Sequence, residues 1–137
     1  MQYSIHRASC PLGAPDTDWE SPRWADAETL NVNNFAWKDS GHRPLTRARV
    51  VYDNDFLGVI FRVEDHYVRA VAQRFQDNVC TDSCVEFFVA PLPDSDAYFN
   101  FEVNCGGTML LRRCASTAER DSGGTTKSVG EADGRTI

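Results

Sequence analysis

Two glutamates, Glu86 and Glu102, and two asparagines, Asn100 and Asn104, share the stretch DSCVEFFVAPLPDSDAYFNFEVNCGGTMLLRR, residues 82–113. Carboxylates accept hydrogen bonds and amides both donate and accept. A row of such groups suits a ligand rich in polar hydrogen-bonding atoms. Two carboxylates could also act as acid and base in glycoside hydrolysis if held about 5–10 Å apart across a cleft. A strand face offers no evident means of excluding water or raising one pKa, which weighs against catalysis. The simpler account is a solvated face, with Glu86 and Glu102 paired across strands to Arg49 or Arg62.

A period of two positions these groups. Phe99, Phe101 and Val103 alternate with Tyr98, Asn100, Glu102 and Asn104. Successive strand side chains point to opposite faces, so one face is apolar and the other polar with an aromatic at its end. Just upstream, Val85, Phe87 and Val89 alternate with Cys84, Glu86 and Phe88. Cys105-Gly106-Gly107-Thr108 supplies a turn, and Met109 begins a returning strand.

Earlier in the chain, Arg47–Tyr52 alternates with Ala48, Val50 and Tyr52 inward. Asp53-Asn54-Asp55 makes a tight turn, and residues 56–64 return with Leu57, Val59, Phe61 and Val63 on one face. The pair predicts a β-hairpin. Val68–Phe75 is expected as a third strand, although its composition would also suit a helix. Tyr3–His6 is a short edge-strand candidate and Leu30–Val32 a brief strand. Residues 10–23 form a proline-rich loop, bordered by Trp19 and Trp24. Trp37 sits in an apolar run and reads as core. Residues 115–137 carry almost no large apolar side chain and are expected to form a polar, disordered tail. Short strands separated by turn signals argue an all-β, antiparallel sandwich occupying residues 1–114.

Composition narrows the partners. The chain has 137 residues and a formal net charge of −6, which argues against a nucleic-acid ligand. No apolar run is long enough to span a membrane. The first residues lack the apolar core of a secretory signal, so the chain is either cytoplasmic or exported with its signal outside this sequence. Five cysteines (Cys10, Cys80, Cys84, Cys105 and Cys114) leave at least one thiol over if all pairing is internal. Cys80 and Cys84 lack the two further ligands that zinc needs.

Three segments carry a family resemblance: LTRARVVYDNDFLGVIFRVED, TDSCVEFFVAP and AYFNFEVNCGGTMLL, with WKDSGHRP ahead of them. Together, over residues 44–111, they resemble the family 9 carbohydrate-binding modules and the related bacterial family 9-like sugar-binding domains. The resemblance implies a β-sandwich of immunoglobulin-like or jelly-roll type that binds a glycan without catalysis. Such domains are often appended to glycoside hydrolases of the xylanase type, in polysaccharide breakdown. By position, Glu86 matches the family's sugar-bonding glutamate and Asn104 its asparagine. Glu102 stands where the founding modules have a basic residue. Asn100, Glu102 and Tyr98 complete the expected ligand-binding set on the same surface.

Two departures accompany the likeness. Cys80 stands where the family has a platform tryptophan. The strands expected after the glycine hairpin are replaced by the polar tail, so the sandwich is expected to be truncated at its C-terminus. Trp19 or Trp24 could partly replace the lost platform, although core or lid packing is the simpler role for both. No catalytic residue and no cofactor is expected. The resemblance adds a structural calcium, with Asp53, Asp55, Glu64 and Asp65 as oxygen donors, though turn formation alone accounts for Asp53 and Asp55. The alternatives are a sandwich holding haem through His6, His42 or His66 with Met109, or a remnant with no ligand.

Overall fold

A computed structural model describes residues 2–35 and 41–114. Trp37 and the tail at 115–137, both singled out above, lie outside the described residues. The chain divides into two compact units, Met1–His66 and Tyr67–Ile137. The described residues form seven strands and two 3-10 turns, with no α-helix among them. The fold class is all-β, with two antiparallel-rich sheets of the β-sandwich kind.

The first unit contains β1 (His6–Arg7), β2 (Leu30–Val32), β3 (Leu45–Tyr52) and β4 (Leu57–Glu64). β4 pairs antiparallel along all of β3. β1, parallel, and β2, antiparallel, must therefore share the other edge of β3, at residues 51–52 and 46–48 respectively. The β3–β4 connection is the expected aspartate turn. Asp53 Oδ1 accepts from the amides of Asp55 (2.9 Å) and Phe56 (2.8 Å), and Oδ2 from Leu12 N (2.8 Å). These three bonds hold its carboxyl below the usual range, the Leu12 bond contributing most.

The inward set differs from expectation. Ala48 and Val50 are buried, but Tyr52, Leu57 and Val63 are exposed. Val51 and Ile60, on the opposite face, join Leu12 and Trp24 in a core cluster. The loop before β2 causes this. It lays Trp24, 3% exposed, against the sheet, where a Cβ on Gly58 would come within 3.3 Å of the indole ring. Both faces of β3 are thus covered near its end, and strict one-face alternation fails.

The second unit contains β5 (Cys84–Val89), β6 (Tyr98–Asn104) and β7 (Met109–Cys114), antiparallel, with β6 in the middle. The register sets Val85 opposite Val103, Phe87 opposite Phe101 and Val89 opposite Phe99. On the other face it sets Cys84 opposite Asn104, Glu86 opposite Glu102 and Phe88 opposite Asn100. Gly107 closes the β6–β7 turn at φ 84°, a conformation that L side chains rarely adopt.

Residues 68–75 are not a strand. Their amides bond side chains instead of a ladder: Val71 N and Ala72 N donate to Asp82 Oδ2, each at 2.9 Å, and Arg69 N to Ser83 Oγ at 3.0 Å. Gln73 N and Arg74 N donate to Asp77 at 3.2 and 2.9 Å. Acidic side chains have taken the donors that a neighbouring strand would have used.

Candidate functional site

The polar face of β5–β6–β7 holds Cys84, Glu86 and Phe88 on β5, and Tyr98, Asn100, Glu102 and Asn104 on β6. β7 adds Leu110, Arg112 and Cys114. It is no ordinary solvated face. Asn100 is 7% exposed, and Glu102 and Asn104 are 3% exposed each. Glu86 is exposed, as is Phe88 (56%). The buried groups therefore form a floor, with Glu86 and Phe88 standing over one side of it. Phe88 and Tyr98 form a tilted pair, ring centroids 5.9 Å apart.

Asn100 joins the two carboxylates. Its amide donates to Glu102 Oε1 at 3.0 Å and to Glu86 Oε2 at 3.4 Å. Arg112 Nε lies 3.8 Å from Glu102 Oε1. Asn100 Oδ1 and Glu102 Oε2 are buried and have no hydrogen-bond partner within the chain. A buried acceptor without a partner is costly unless another molecule supplies the donor. Burial and then the charge of Glu86 push the Glu102 carboxyl up, against the pull of Arg112. The same surroundings, burial first and then Glu86 and Glu102, push the Cys84 thiol up to about 11.

Asn104 is engaged inside the protein. Its Nδ2 donates to Ala72 O (3.1 Å) and to Asp82 Oδ2 (2.9 Å). Its Oδ1 accepts from Gly106 N (3.0 Å) and Thr108 N (2.9 Å). All four bonds that an amide side chain can make are used inside the protein. Asn104 thus pins the β6–β7 turn to the 69–72 segment. Asp82 is its counterpart. Asn104 and then the amides of Ala72 and Val71 hold its carboxyl below the usual range, with Arg69 Nε 3.3 Å away.

Arg49 bonds Thr29 and the Trp19 carbonyl, and Arg62 lies by Glu20 and Glu64, so both arginines have partners within their own unit. Trp24 is core and presents no open face to a sugar. Trp19 is half-buried, with the Arg49 guanidinium 4.3 Å from its ring centroid. Cys80 is exposed and donates to Asn78 Oδ1 at 2.9 Å. All five cysteines are free thiols. Among the described residues, no three His, Cys, Asp or Glu side chains gather as a metal site would need. Asp53 is engaged by its turn, and Asp65 by His42 at 2.8 Å. His6 pairs with Glu28 at 3.8 Å. Among the described residues, no helix is long and apolar enough to cross a membrane.

The sequence singled out Glu86, Asn100, Glu102 and Tyr98, and the structure sets all four on one face. Arg112 and Asp82 were missed. Arg112 was within reach of the same alternation: Leu110, Arg112 and Cys114 oppose Met109, Leu111 and Arg113, and the register puts Arg112 across from Asn100. Asp82 lies outside any strand, and nothing in its spacing announced its part.

Comparison with known proteins decides the family. The model of carbohydrate-binding family 9 matches residues 23–131, most of the chain. The chain belongs to carbohydrate-binding family 9. Its function class is non-catalytic carbohydrate binding, and nothing in these comparisons favours the haem alternative. The match runs past residue 114, into the segment read above as a tail. Among solved structures, a Bacteroides uniformis protein, designated provisionally as carbohydrate-binding, is similar at 31% identity and a TM-score of 0.70. The likeness covers 82% of this chain and 52% of that one, so this chain spans about half the length of the protein it matches. No curated protein matches the sequence.

Proposed function

We propose that this family 9 chain holds a glycan on the polar face of β5–β6–β7, with Glu86 as its principal hydroxyl partner. One observation carries the assignment: an exposed carboxylate and an exposed aromatic stand beside a buried polar floor that keeps two acceptors without partners. Asn100 and Glu102 form that floor and offer Oδ1 and Oε2 to ligand hydroxyls. Phe88 and Tyr98 offer ring faces to the C–H groups of a pyranose. Asn104 and Asp82 hold the face in shape. Glu86 and Glu102 share one amide donor as cross-strand neighbours, an arrangement suited to holding rather than cleaving. In a longer parent protein, such a chain would serve as a targeting module for a glycoside hydrolase.

Affinity electrophoresis against soluble polysaccharides, with pull-down on insoluble ones, tests this. The wild-type chain should be retarded by at least one polysaccharide, and Glu86→Ala should abolish the retardation while leaving the circular dichroism spectrum unchanged. A variant retarded as strongly as wild type would remove the face from consideration.

A further inference from the structure

The polar face of the second unit is short of hydrogen-bond donors. Asn100 spends both amide hydrogens on Glu86 Oε2 and Glu102 Oε1. Its orientation is set by that pair, because a flipped amide would aim its oxygen at two carboxylates. Asn100 Oδ1 is consequently left without a partner, and so is Glu102 Oε2. Glu102 is 3% exposed and lies directly opposite Glu86 in the register. Among the described residues, the cation recorded at ion-pair range of these carboxylates is Arg112, 3.8 Å from Glu102 Oε1. Two carboxylates against one guanidinium leave an excess negative charge.

We propose that this face takes a saccharide bearing a free, protonated amino group, an amino sugar, in preference to a neutral one. The inference rests on the glycan-binding assignment made above and names the ligand class for it. An ammonium brings three donors, no acceptor and a positive charge. It answers both deficits of the face, whereas a hydroxyl brings one donor, an acceptor and no charge. A metal ion would supply charge, but no trio of His, Cys, Asp or Glu among the described residues is placed to hold one. The charge that this face lacks thus belongs on an organic ligand. The aromatic pair Phe88–Tyr98 adjoins the same strand positions, with Phe88 opposite Asn100. Ring faces of that kind suit a pyranose and add nothing for a bare amine.

Calorimetric titration with three tetrasaccharides tests the inference: a β-1,4-glucosamine oligomer, its fully N-acetylated counterpart and a neutral β-1,4-glucan. All are run at one mildly acidic pH and one salt concentration. The glucosamine oligomer should bind at least about tenfold more tightly than either neutral one, the size of effect expected for a partly desolvated charge pair. Glu102→Gln keeps the size of the floor residue and should reduce that preference to about threefold or less. Glu86→Gln, at an exposed position where folding is not at stake, should do the same. Equal affinity for charged and neutral oligomers would overturn the inference while leaving glycan binding intact. A preference that survives both substitutions would be diffuse attraction to a chain of net charge −6 and would also overturn it. If the folded protein binds none of the three, the inference falls, and the polysaccharide panel then decides the glycan assignment separately.

Discussion

Asn104 shows how a polar residue on a candidate face can be spent before any ligand arrives. Its amide makes four internal bonds that fix the β6–β7 turn. Asn104→Ala should cost about 2–4 kcal/mol in chemical denaturation, because buried partners lose their bonds together. Glu102 has the opposite character. Its carboxyl is held above the ordinary value of 4.5, chiefly by burial. The folded state therefore binds that proton more readily than the unfolded chain does. Its favourable contribution is complete below 4.5 and is lost as pH rises through the folded-state pKa. Glu102→Gln does not titrate, so its Tm relative to wild type should rise across that window. A difference that stays flat with pH would show that the carboxyl does not titrate abnormally. Cys84 should resist alkylation. Only the thiolate attacks, and its pKa is pushed up to about 11. At neutral pH, iodoacetamide with peptide mapping should label exposed Cys80 and Cys105 well before Cys84; early labelling of Cys84 would contradict its assigned environment.

At the scale of elements, the turns hold the second sheet's register. Gly107→Ala should cost about 1 kcal/mol by thermal denaturation, the strain of a side chain at φ 84°. β5 and β6 were legible because they alternate, as in Phe99, Phe101 and Val103 against Asn100, Glu102 and Asn104, whereas β7 was placed as the strand returning from the glycine turn. The β3–β4 hairpin was legible for a second reason, since Asp53 sits where its carboxylate can cap the turn. Two features were not legible. Residues 68–75 have strand composition, yet Asp82 and Asp77 capture their amides from beyond the segment, and local propensity cannot report a distant acceptor. The burial of Val51 and Ile60 likewise depends on Trp24 and Leu12, brought over the sheet by an irregular loop. Trp24→Ala should cost about 3–5 kcal/mol in stability and leave glycan affinity unchanged in whatever fraction remains folded.

At the scale of the whole molecule, membership of carbohydrate-binding family 9 and the face of the second unit support the same function. The family match gives the class, and the proposed site is the face where exposed Glu86 stands beside a buried polar floor. That Glu86, Asn100, Glu102 and Tyr98 share one face was legible because a strand writes one face as alternate letters. The internal engagement of Asn104 was not, since its partners at Ala72 and Asp82 come from an irregular segment. The most direct test of the central claim is a ¹⁵N chemical-shift titration with whichever oligosaccharide the panel identifies. Shifts should concentrate at Glu86, Phe88, Tyr98, Asn100, Glu102 and Arg112. Saturable binding with shifts confined to β3 and β4, and none on these residues, would contradict the assignment of the site.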